Sequence, residues 1–241
     1  MRFRFGTDIG LKREENQDAV RCEYFGHNVL AVVCDGMGGE RAGKEASSIA
    51  VDEFFLRFSS GYNEELDDDS IRKLLISSIS AANSVIYTKA RLDFKNFGMG
   101  TTCVAAFVTD KKAFIANVGD SRAYLITNKG LYQVTTDHNV PSLLFEQGKI
   151  TEAEMAVHPQ RHMLVRAVGV EKTVLTDTFI LDYEDEINLL LCSDGLSGYC
   201  LDEEIYDVIR ANSFDDRIDA LISLALEKGG RDNVTVAVVS S

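Results

Sequence analysis

The chain has 241 residues, of which 45% are hydrophobic and 26% are charged, and these proportions exclude a disordered, collagen-like or low-complexity protein. A chain of this length can enclose one substantial core, so we expect a single domain over residues 1–241. The formal net charge of −13 would repel nucleic-acid phosphates and anionic lipid headgroups, so neither nucleic acid nor a membrane surface is expected as a partner.

Short apolar runs bounded by turn residues predict β-strands. The predicted strands are residues 29–34, 103–108, 113–118, 123–126, 187–192 and 234–239. Three of them follow one another in the middle of the chain, and the links between them are too short for a parallel crossover. These three therefore predict antiparallel hairpins.

Helical patterns interrupt the strands. Apolar residues recur at about four-residue steps over 46–58 and 71–86, and a third helix is predicted between Asp215 or Asp216, as its cap, and Gly229, as its stop. Each helix has one apolar stripe to bury. Helices of this kind together with several hairpin strands predict an α+β architecture, in which sheets stack face to face with helices outside.

Two polar segments receive different interpretations. The acidic stretch 64–69 lacks the alternating ligands and the glycine of a calcium loop, so we interpret it as a solvated connection between helices. Segment 139–168 has no strand pattern, but Thr151 and Glu154 have the spacing of a capping box, which predicts short helices. Long excursions of this kind often border a functional site.

The cysteines show neither zinc-knuckle nor thioredoxin-like spacing. They are Cys22, Cys34, Cys103, Cys192 and Cys200. Three lie in apolar runs, where a free cysteine packs as a small hydrophobe. We therefore expect reduced thiols and a cytoplasmic location. No stretch of about 18 uncharged apolar residues is present, so no membrane span is expected.

Aspartates recur at the ends of the predicted strands. Asp35, Asp120 and Asp194 follow strands, and Asp232 precedes the last one. An Asp-Gly pair is also a common turn, but four such positions favour a shared site. Carboxylates within about 4 Å of one another repel by up to ~4 kcal/mol per pair at an effective dielectric near 20. Hard divalent cations such as Mg²⁺ or Mn²⁺ would neutralise them, so we infer a two-metal centre.

A two-metal centre would supply hydroxide at neutral pH, hold a phosphoryl oxygen and stabilise a leaving oxygen. Arg13, just upstream of Asp18, is the candidate phosphate ligand because a guanidinium offers paired donors. The histidines, His162 among them, do not assemble with the cysteines, so a histidine-based metal site is not expected. Cys34 and Cys192 lack the phosphate-cradling loop that a nucleophilic thiolate needs.

A series of motifs in these regions resembles, in order along nearly the whole chain, the protein phosphatase 2C family and most of all its compact bacterial branch. The motifs are Thr7-Asp8-Ile9-Gly10 with Arg13 and Asn16-Gln17-Asp18-Ala19, Asp35-Gly36-Met37-Gly38-Gly39, Gly98-Met99-Gly100-Thr101-Thr102, Gly119-Asp120-Ser121-Arg122, Ser193-Asp194-Gly195-Leu196 and Arg231-Asp232-Asn233-Val234-Thr235. The resemblance implies a four-layer αββα sandwich, with two antiparallel β-sheets flanked by helices and a metal cleft at one edge.

The resemblance also implies roles for single residues. Asp35 matches the carboxylate that bridges two metals, and Gly36 matches the residue that lends its carbonyl oxygen. Asp194 and Asp232 match the remaining ligands of the first metal. Asp18 matches an acid that orients metal-bound water.

Three further positions follow from the same resemblance. Asp120 matches a ligand, with Asp194, of a third and weaker metal, and Arg13 matches the phosphate-binding arginine. Segment 139–166 corresponds to the family's flap beside the cleft. Met37 stands where members outside the bacterial branch often carry a histidine proposed to protonate the leaving group, and a thioether cannot donate a proton.

The implied activity is that of a metal-dependent protein serine/threonine phosphatase that uses Mn²⁺ or Mg²⁺. A metal-bridging hydroxide would attack phosphoserine or phosphothreonine in line. The expected partners are phosphorylated proteins and a Ser/Thr kinase that shares them, and a monomer is the expected state. Two alternatives stay open: a catalytically silent phosphoprotein-binding module of the same fold, and a phosphatase for a non-protein phosphate ester.

Overall fold

Eleven β-strands and seven α-helices form the part of the chain that this computed structural model describes, namely residues 1–38, 42–96, 98–184 and 186–241. The strands are β1 (Arg2–Asp8), β2 (Asp18–Phe25), β3 (Asn28–Met37), β4 (Gly100–Thr101), β5 (Cys103–Val108), β6 (Lys112–Val118), β7 (Arg122–Ile126), β8 (Leu131–Gln133), β9 (Asp177–Asp182), β10 (Asn188–Cys192) and β11 (Val234–Ser240). The helices are α1 (Ala42–Gly61), α2 (Asp68–Leu92), α3 (Val140–Glu146), α4 (Glu152–Ala156), α5 (Asp194–Ser197), α6 (Asp202–Ala211) and α7 (Arg217–Glu227).

The strands pair into two antiparallel sheets. One sheet has the order β1-β11-β10-β7-β8, and the other has the order β2-β3-β5-β6-β9, with β4 paired to β3. Successive residues of a strand point to opposite faces, so a fully buried strand supplies two cores. In β3, for example, Val29 and Ala31 pack between the sheets, whereas Leu30 and Val32 pack on the other side.

Three apolar cores separate four layers of secondary structure. Helices α1 and α2 cover the outer face of the second sheet through aromatic residues such as Phe54 and Phe58. The two sheets pack on each other through small and branched residues. Helices α5, α6 and α7 cover the first sheet through residues such as Leu196 and Leu221. The fold is therefore the α+β sandwich, with two antiparallel sheets flanked by helices, that the sequence predicts.

All six predicted strands and all three predicted helices are present, and the predicted capping box of Thr151 and Glu154 starts α4. One local prediction needs correction. Asp216 stands at the N-cap position of α7, but its side chain makes no capping hydrogen bond and instead accepts one from the Ser213 hydroxyl at 2.6 Å. The acidic stretch 64–69 does connect α1 to α2, with Asp67 capping α2 through the Ser70 amide at 2.8 Å.

The five cysteines are free thiols and are buried, as predicted. Burial raises the pKa values of four of these thiols, those of Cys22, Cys34, Cys192 and Cys200. None of the helices in the described ranges combines the length and the apolar character that a bilayer crossing requires.

Candidate functional site

An acidic cavity of about 400 Å³ opens where strands of both sheets end. Its walls include every predicted site residue except Asp18, which lies beside Asp35 in the β2–β3 register. The lining residues are Arg13, Gln17, Asp35, Gly36, Met37, Gly38, Thr102, Asp120, His162, Leu164, Asp194, Tyr199, Asp232 and Asn233. Gly39, the last residue of the Asp-Gly motif, lies outside the described residues.

Each aspartate comes from a different element. Asp35 lies near the end of β3, Asp18 starts β2, and Asp120 lies in the turn between β6 and β7. Asp194 begins α5 directly after β10, and Asp232 precedes β11. Since antiparallel neighbours alternate in direction, the end of one strand and the start of the next meet at the same sheet edge. This topology brings together carboxylates that are distant in sequence.

Two threonines fix the backbone at Asp35. The Asp35 amide donates to Thr102 Oγ1 at 2.8 Å, and the Thr101 hydroxyl donates to the Asp35 carbonyl oxygen at 2.8 Å. Thr102 Oγ1 also shares a 2.6 Å hydrogen bond with Ser121 Oγ, beside Asp120. Both threonines are buried, so the polypeptide itself sets the position of this carboxylate.

Gly36 occupies a place where no side chain fits. A Cβ atom at this position would lie 2.0 Å from the Gly43 carbonyl oxygen and 2.6 Å from that of Gln17. The Gly36 amide donates to the Gln17 carbonyl at 3.1 Å, which holds the segment before β2 against the end of β3. Glycine is therefore required here by the close approach of three backbone segments.

Several carboxylates in and beside the cavity are buried close to one another. Burial, reinforced by Asp18 and Asp194, raises the pKa of Asp35 well above its usual range. Burial together with the Asp194 charge does the same to Asp120. Burial also raises the pKa of Asp18 to about 7, against the opposing hydrogen bond from Ser193. Protons or cations are therefore drawn to this end of the molecule.

Two cationic or basic side chains engage the cavity's aspartates. Arg13 Nη2 donates to Asp232 Oδ2 at 2.8 Å, and this hydrogen bond raises the pKa of Arg13. His162 Nδ1 lies 3.1 Å from Asp194 Oδ2, and its ring stacks on Tyr199 with a centroid separation of 6.0 Å. His162 is a site residue that the sequence did not predict. The available signal was its place in segment 139–166.

Metal binding requires a change in these contacts. Among the described residues, no three His, Cys, Asp or Glu side chains converge closely enough to hold an ion. Asp232 and Asp194 are turned toward Arg13 and His162 instead. The donor set itself fits a hard divalent cation, because it consists of carboxylate oxygens and a backbone carbonyl oxygen. The buried Oδ1 atom of Asp18 also has no hydrogen-bond partner among the described residues.

Asn233 is a supporting residue that carries no predicted role. Its Oδ1 accepts from the Gln17 amide at 2.8 Å, and its Nδ2 donates to the carbonyls of Ile9 at 2.9 Å and Glu15 at 3.0 Å. These three bonds tie the segment that carries Arg13 to the start of β11. They couple the position of Arg13 to that of the neighbouring Asp232.

Segment 139–166, which we call the flap, contributes His162 and Leu164 to the lining of the cavity. It leaves the sheet region at Asn139, which caps α3, and returns through a β-bridge between Asn139 and Leu164. At its base, the Gly119 amide donates to His138 Nδ1 at 3.0 Å, so Nε2 carries the ring hydrogen and faces Asp177 Oδ2 at 3.1 Å. Arg166 donates to the other oxygen of Asp177 at 2.6 Å. Both ends of the flap are thereby fixed to β9.

Comparisons with known proteins agree with this geometry. A family model described as "Protein phosphatase 2C" matches residues 11–235. "Serine/threonine phosphatase stp" of Listeria monocytogenes is 37% identical over 246 residues, covering 99% of this chain and 95% of the relative. "Protein phosphatase PhpP" of Streptococcus pneumoniae is 32% identical, covering 97% and 95%.

Solved structures show the same similarity. The serine/threonine phosphatase Stp1 from Staphylococcus aureus has a TM-score of 0.91 and 38% identity, covering 98% of this chain and 93% of its own. The Mycobacterium tuberculosis serine/threonine phosphatase PstP/Ppp has a TM-score of 0.88 and 33% identity, covering 100% and 97%.

Proposed function

The chain belongs to the protein phosphatase 2C family, and we propose that its acidic cavity is the active site of a metal-dependent protein serine/threonine phosphatase. The observation that carries this proposal is that one cavity is lined by Asp35, Asp120, Asp194, Asp232 and Arg13. Carboxylates provide the ligands of hard divalent cations, and a guanidinium provides a ligand for a phosphate.

Mn²⁺ or Mg²⁺ would be held by four groups in the catalytic centre: the carboxylates of Asp35, Asp194 and Asp232 and the carbonyl oxygen of Gly36. Asp120 and Asp194 would hold a third, weaker ion. When bound, such ions lower the pKa of coordinated water and offset negative charge on phosphoryl oxygens. The hard-oxygen donor set favours these metals over zinc.

Asp18 would orient the attacking water. Its Oδ2 accepts from the Ser193 hydroxyl at 2.8 Å, which fixes the carboxylate, and its Oδ1 has no partner among the described residues. With a pKa of about 7, Asp18 can accept a proton near neutral pH. We assign Oδ1 as the atom that accepts a hydrogen from water aligned opposite the departing serine or threonine oxygen.

Arg13 would hold the phosphate. Its guanidinium lines the cavity, is half exposed and donates to Asp232 through Nη2. Its charge would offset the phosphate dianion, and paired donors would orient the phosphoryl group for in-line displacement. Hydrolysis would then proceed without a phosphorylated enzyme intermediate.

The cellular setting belongs to the same proposal. We place residues 1–241 in one catalytic domain, acting as a cytoplasmic monomer on phosphoproteins made by a Ser/Thr kinase. Free, buried cysteines fit a reducing compartment. The net charge of −13 disfavours nucleic acid as a partner.

The test is phosphate release from matched phosphoserine, phosphothreonine and phosphotyrosine peptides, with Mn²⁺ or Mg²⁺ and with a chelator. We expect metal-dependent turnover of the first two and little of the third. Stoichiometric binding without turnover would identify the silent binding module instead. Turnover of small phosphate esters but of no peptide would point to a non-protein substrate.

A further inference from the structure

A second cavity, of about 430 Å³, lies directly beside the acidic one. Met37 and Leu164 line both cavities, so they form a shared wall. Seven of the ten residues that line the second cavity are apolar, whereas several carboxylates line the acidic cavity. Three of the apolar residues, Val165, Val170 and Leu175, expose 48%, 46% and 76% of their surface. We call this site the apolar cavity.

Met37 joins the two cavities physically. It directly follows Gly36, one of the proposed metal-binding residues, while its methyl group extends toward Val170. A Cβ atom added to Gly100 would lie 2.9 Å from Met37 Cε and 2.8 Å from Val170 Cγ2. The glycine at position 100 therefore allows these two side chains to come together at the junction.

Hydrogen bonds hold the apolar cavity in shape. The buried Asn83 side chain on α2 accepts from the Gly169 amide at 2.7 Å and donates to the carbonyls of Glu171 at 3.0 Å and Lys172 at 3.2 Å. Val168 forms a two-way backbone bridge with Thr101 at 2.8 Å and 3.0 Å.

Further hydrogen bonds hold Arg166, another lining residue. Arg166 donates to Asp177 at 2.6 Å, which neutralises its charge, and approaches the Leu175 carbonyl at 3.4 Å. Because hydrogen bonds already order the walls of this cavity, little conformational entropy is lost when a ligand binds there. Exposed apolar side chains around a preformed concave site mark a binding surface.

We propose that the apolar cavity is a substrate subsite that binds an apolar side chain next to the phosphorylated residue of a phosphoprotein. This inference rests on the proposed function, because it takes the acidic cavity as the place of the phosphate. An extended polypeptide advances about 3.3 Å per residue, so a neighbour of the phosphorylated residue reaches across the shared wall. The walls select a branched or aromatic side chain, and Glu171 at the lining disfavours an acidic one.

The experiment uses phosphothreonine peptides in a Gly/Ala background, each with one leucine placed at a position from three residues before to three residues after the phosphothreonine. Matched peptides carry glutamine or glutamate instead. We expect one or two positions at which leucine raises kcat/KM by about tenfold or more over glutamine, with glutamate poorest. A leucine-to-glutamine ratio below about twofold at every position would overturn the proposal.

Substitutions in the apolar cavity test whether it is the source of the preference for leucine over glutamine. Leu175→Gln, at a largely exposed side chain, should reduce the leucine-to-glutamine ratio toward one, and Val170→Thr should reduce it with almost no change in shape. Leu56→Gln is the matched control, because Leu56 is 66% exposed on α1 and lines neither cavity. Circular dichroism checks that each variant is folded. A ratio that survives both cavity variants would overturn the assignment.

Three other results are distinguishable. If the wild type hydrolyses p-nitrophenyl phosphate with Mn²⁺ but shows no peptide preference, the subsite is wrong and the proposed function stands. If it hydrolyses neither the ester nor any peptide, the proposed function fails and the subsite with it. If gel filtration shows a dimer that Leu175→Gln dissociates while the peptide ratio is unchanged, a second copy of the chain covers the cavity and the proposal is overturned.

Discussion

The two neighbouring cavities differ in how their polar groups are satisfied. In the acidic cavity, burial and the charges of neighbouring carboxylates raise the pKa values of Asp35 and Asp120. In the apolar cavity, the Asn83 amide makes three hydrogen bonds and Arg166 is paired with Asp177. One region thus holds mutually repelling carboxylates that a bound cation would stabilise, whereas these polar groups of the other already have partners. Removing a carboxylate charge at the acidic cavity should therefore stabilise the metal-free protein, whereas removing the Asn83 amide beside the apolar cavity should destabilise it.

The largest expected effect is on catalysis. Asp35→Asn removes the proposed bridging carboxylate while it keeps the size of the side chain. We expect metal-dependent hydrolysis of p-nitrophenyl phosphate to fall by at least about 10³-fold, since the metals supply the nucleophile and the charge compensation. Asp215→Asn, at an exposed acid paired with Arg4, is the control and should keep full activity. Retention of a tenth of the activity by Asp35→Asn would contradict the site.

The next effect is stabilisation by metal. Mn²⁺ at about 100 times its dissociation constant should stabilise the folded chain by about 2.7 kcal/mol and raise the Tm by about 5–10 °C. Differential scanning fluorimetry with Mn²⁺, and with Na⁺ at equal ionic strength, measures the shift. Asp35→Asn should lose most of it. An equal shift with Na⁺ would show that general screening, not a specific site, is responsible.

Removing the Asn83 side chain should destabilise the protein. Asn83→Ala leaves the Gly169 amide and two carbonyls without their partners, so we expect a loss of about 2–3 kcal/mol in the free energy of unfolding. Urea denaturation measures it. The exposed Asn128→Ala is the control and should change stability by less than about 0.5 kcal/mol. A loss of similar size in both variants would contradict the structural role of Asn83.

The smallest effect is a pH dependence in the metal-free protein. The folded pKa of Asp18, about 7, is above its unfolded value, so its contribution to stability is fully present below about pH 4 and is lost as the pH rises through 7. Asp18→Asn should therefore gain stability relative to the wild type between pH 5 and 8, on the order of 1–2 kcal/mol.

Chemical denaturation of both proteins across this pH range measures the difference. Subtracting one protein from the other removes the contribution of His138, whose burial lowers its pKa and acts in the opposite direction. A difference that is constant from pH 5 to 8 would show that Asp18 keeps an ordinary pKa.

The central strands could be predicted from sequence, but the outer ones could not. Strands β3, β5, β10 and β11 are nearly continuous apolar runs because both of their faces are covered. The edge strand β1 alternates Arg2 and Arg4 with Phe3 and Phe5 and is half exposed, so it gives no apolar run. Edge strands have one neighbour and carry charge for that reason.

The aspartates of the site could be predicted because they adjoin recognisable strands. The residues that support them could not, since their contacts depend on tertiary structure alone. The Asn83 bond to Gly169 spans 86 residues, and the Asn233 bond to Gln17 spans 216. His162 reaches Asp194 only because the flap folds back through its bridge at Leu164. No spacing rule encodes such pairs.

The buried thiols give this molecule internal reporters of local opening. Cys34 and Cys103 lie in the core beneath α1 and α2, whereas Cys192 and Cys200 lie in the core beneath α5 to α7. A disulfide reagent reacts with thiolates, and burial raises the pKa of Cys192 to about 12 and that of Cys200 to about 11. The labelling rate of each cysteine therefore reports how often the helices above it separate from their sheet. Comparing these rates compares the two outer layers without any introduced probe.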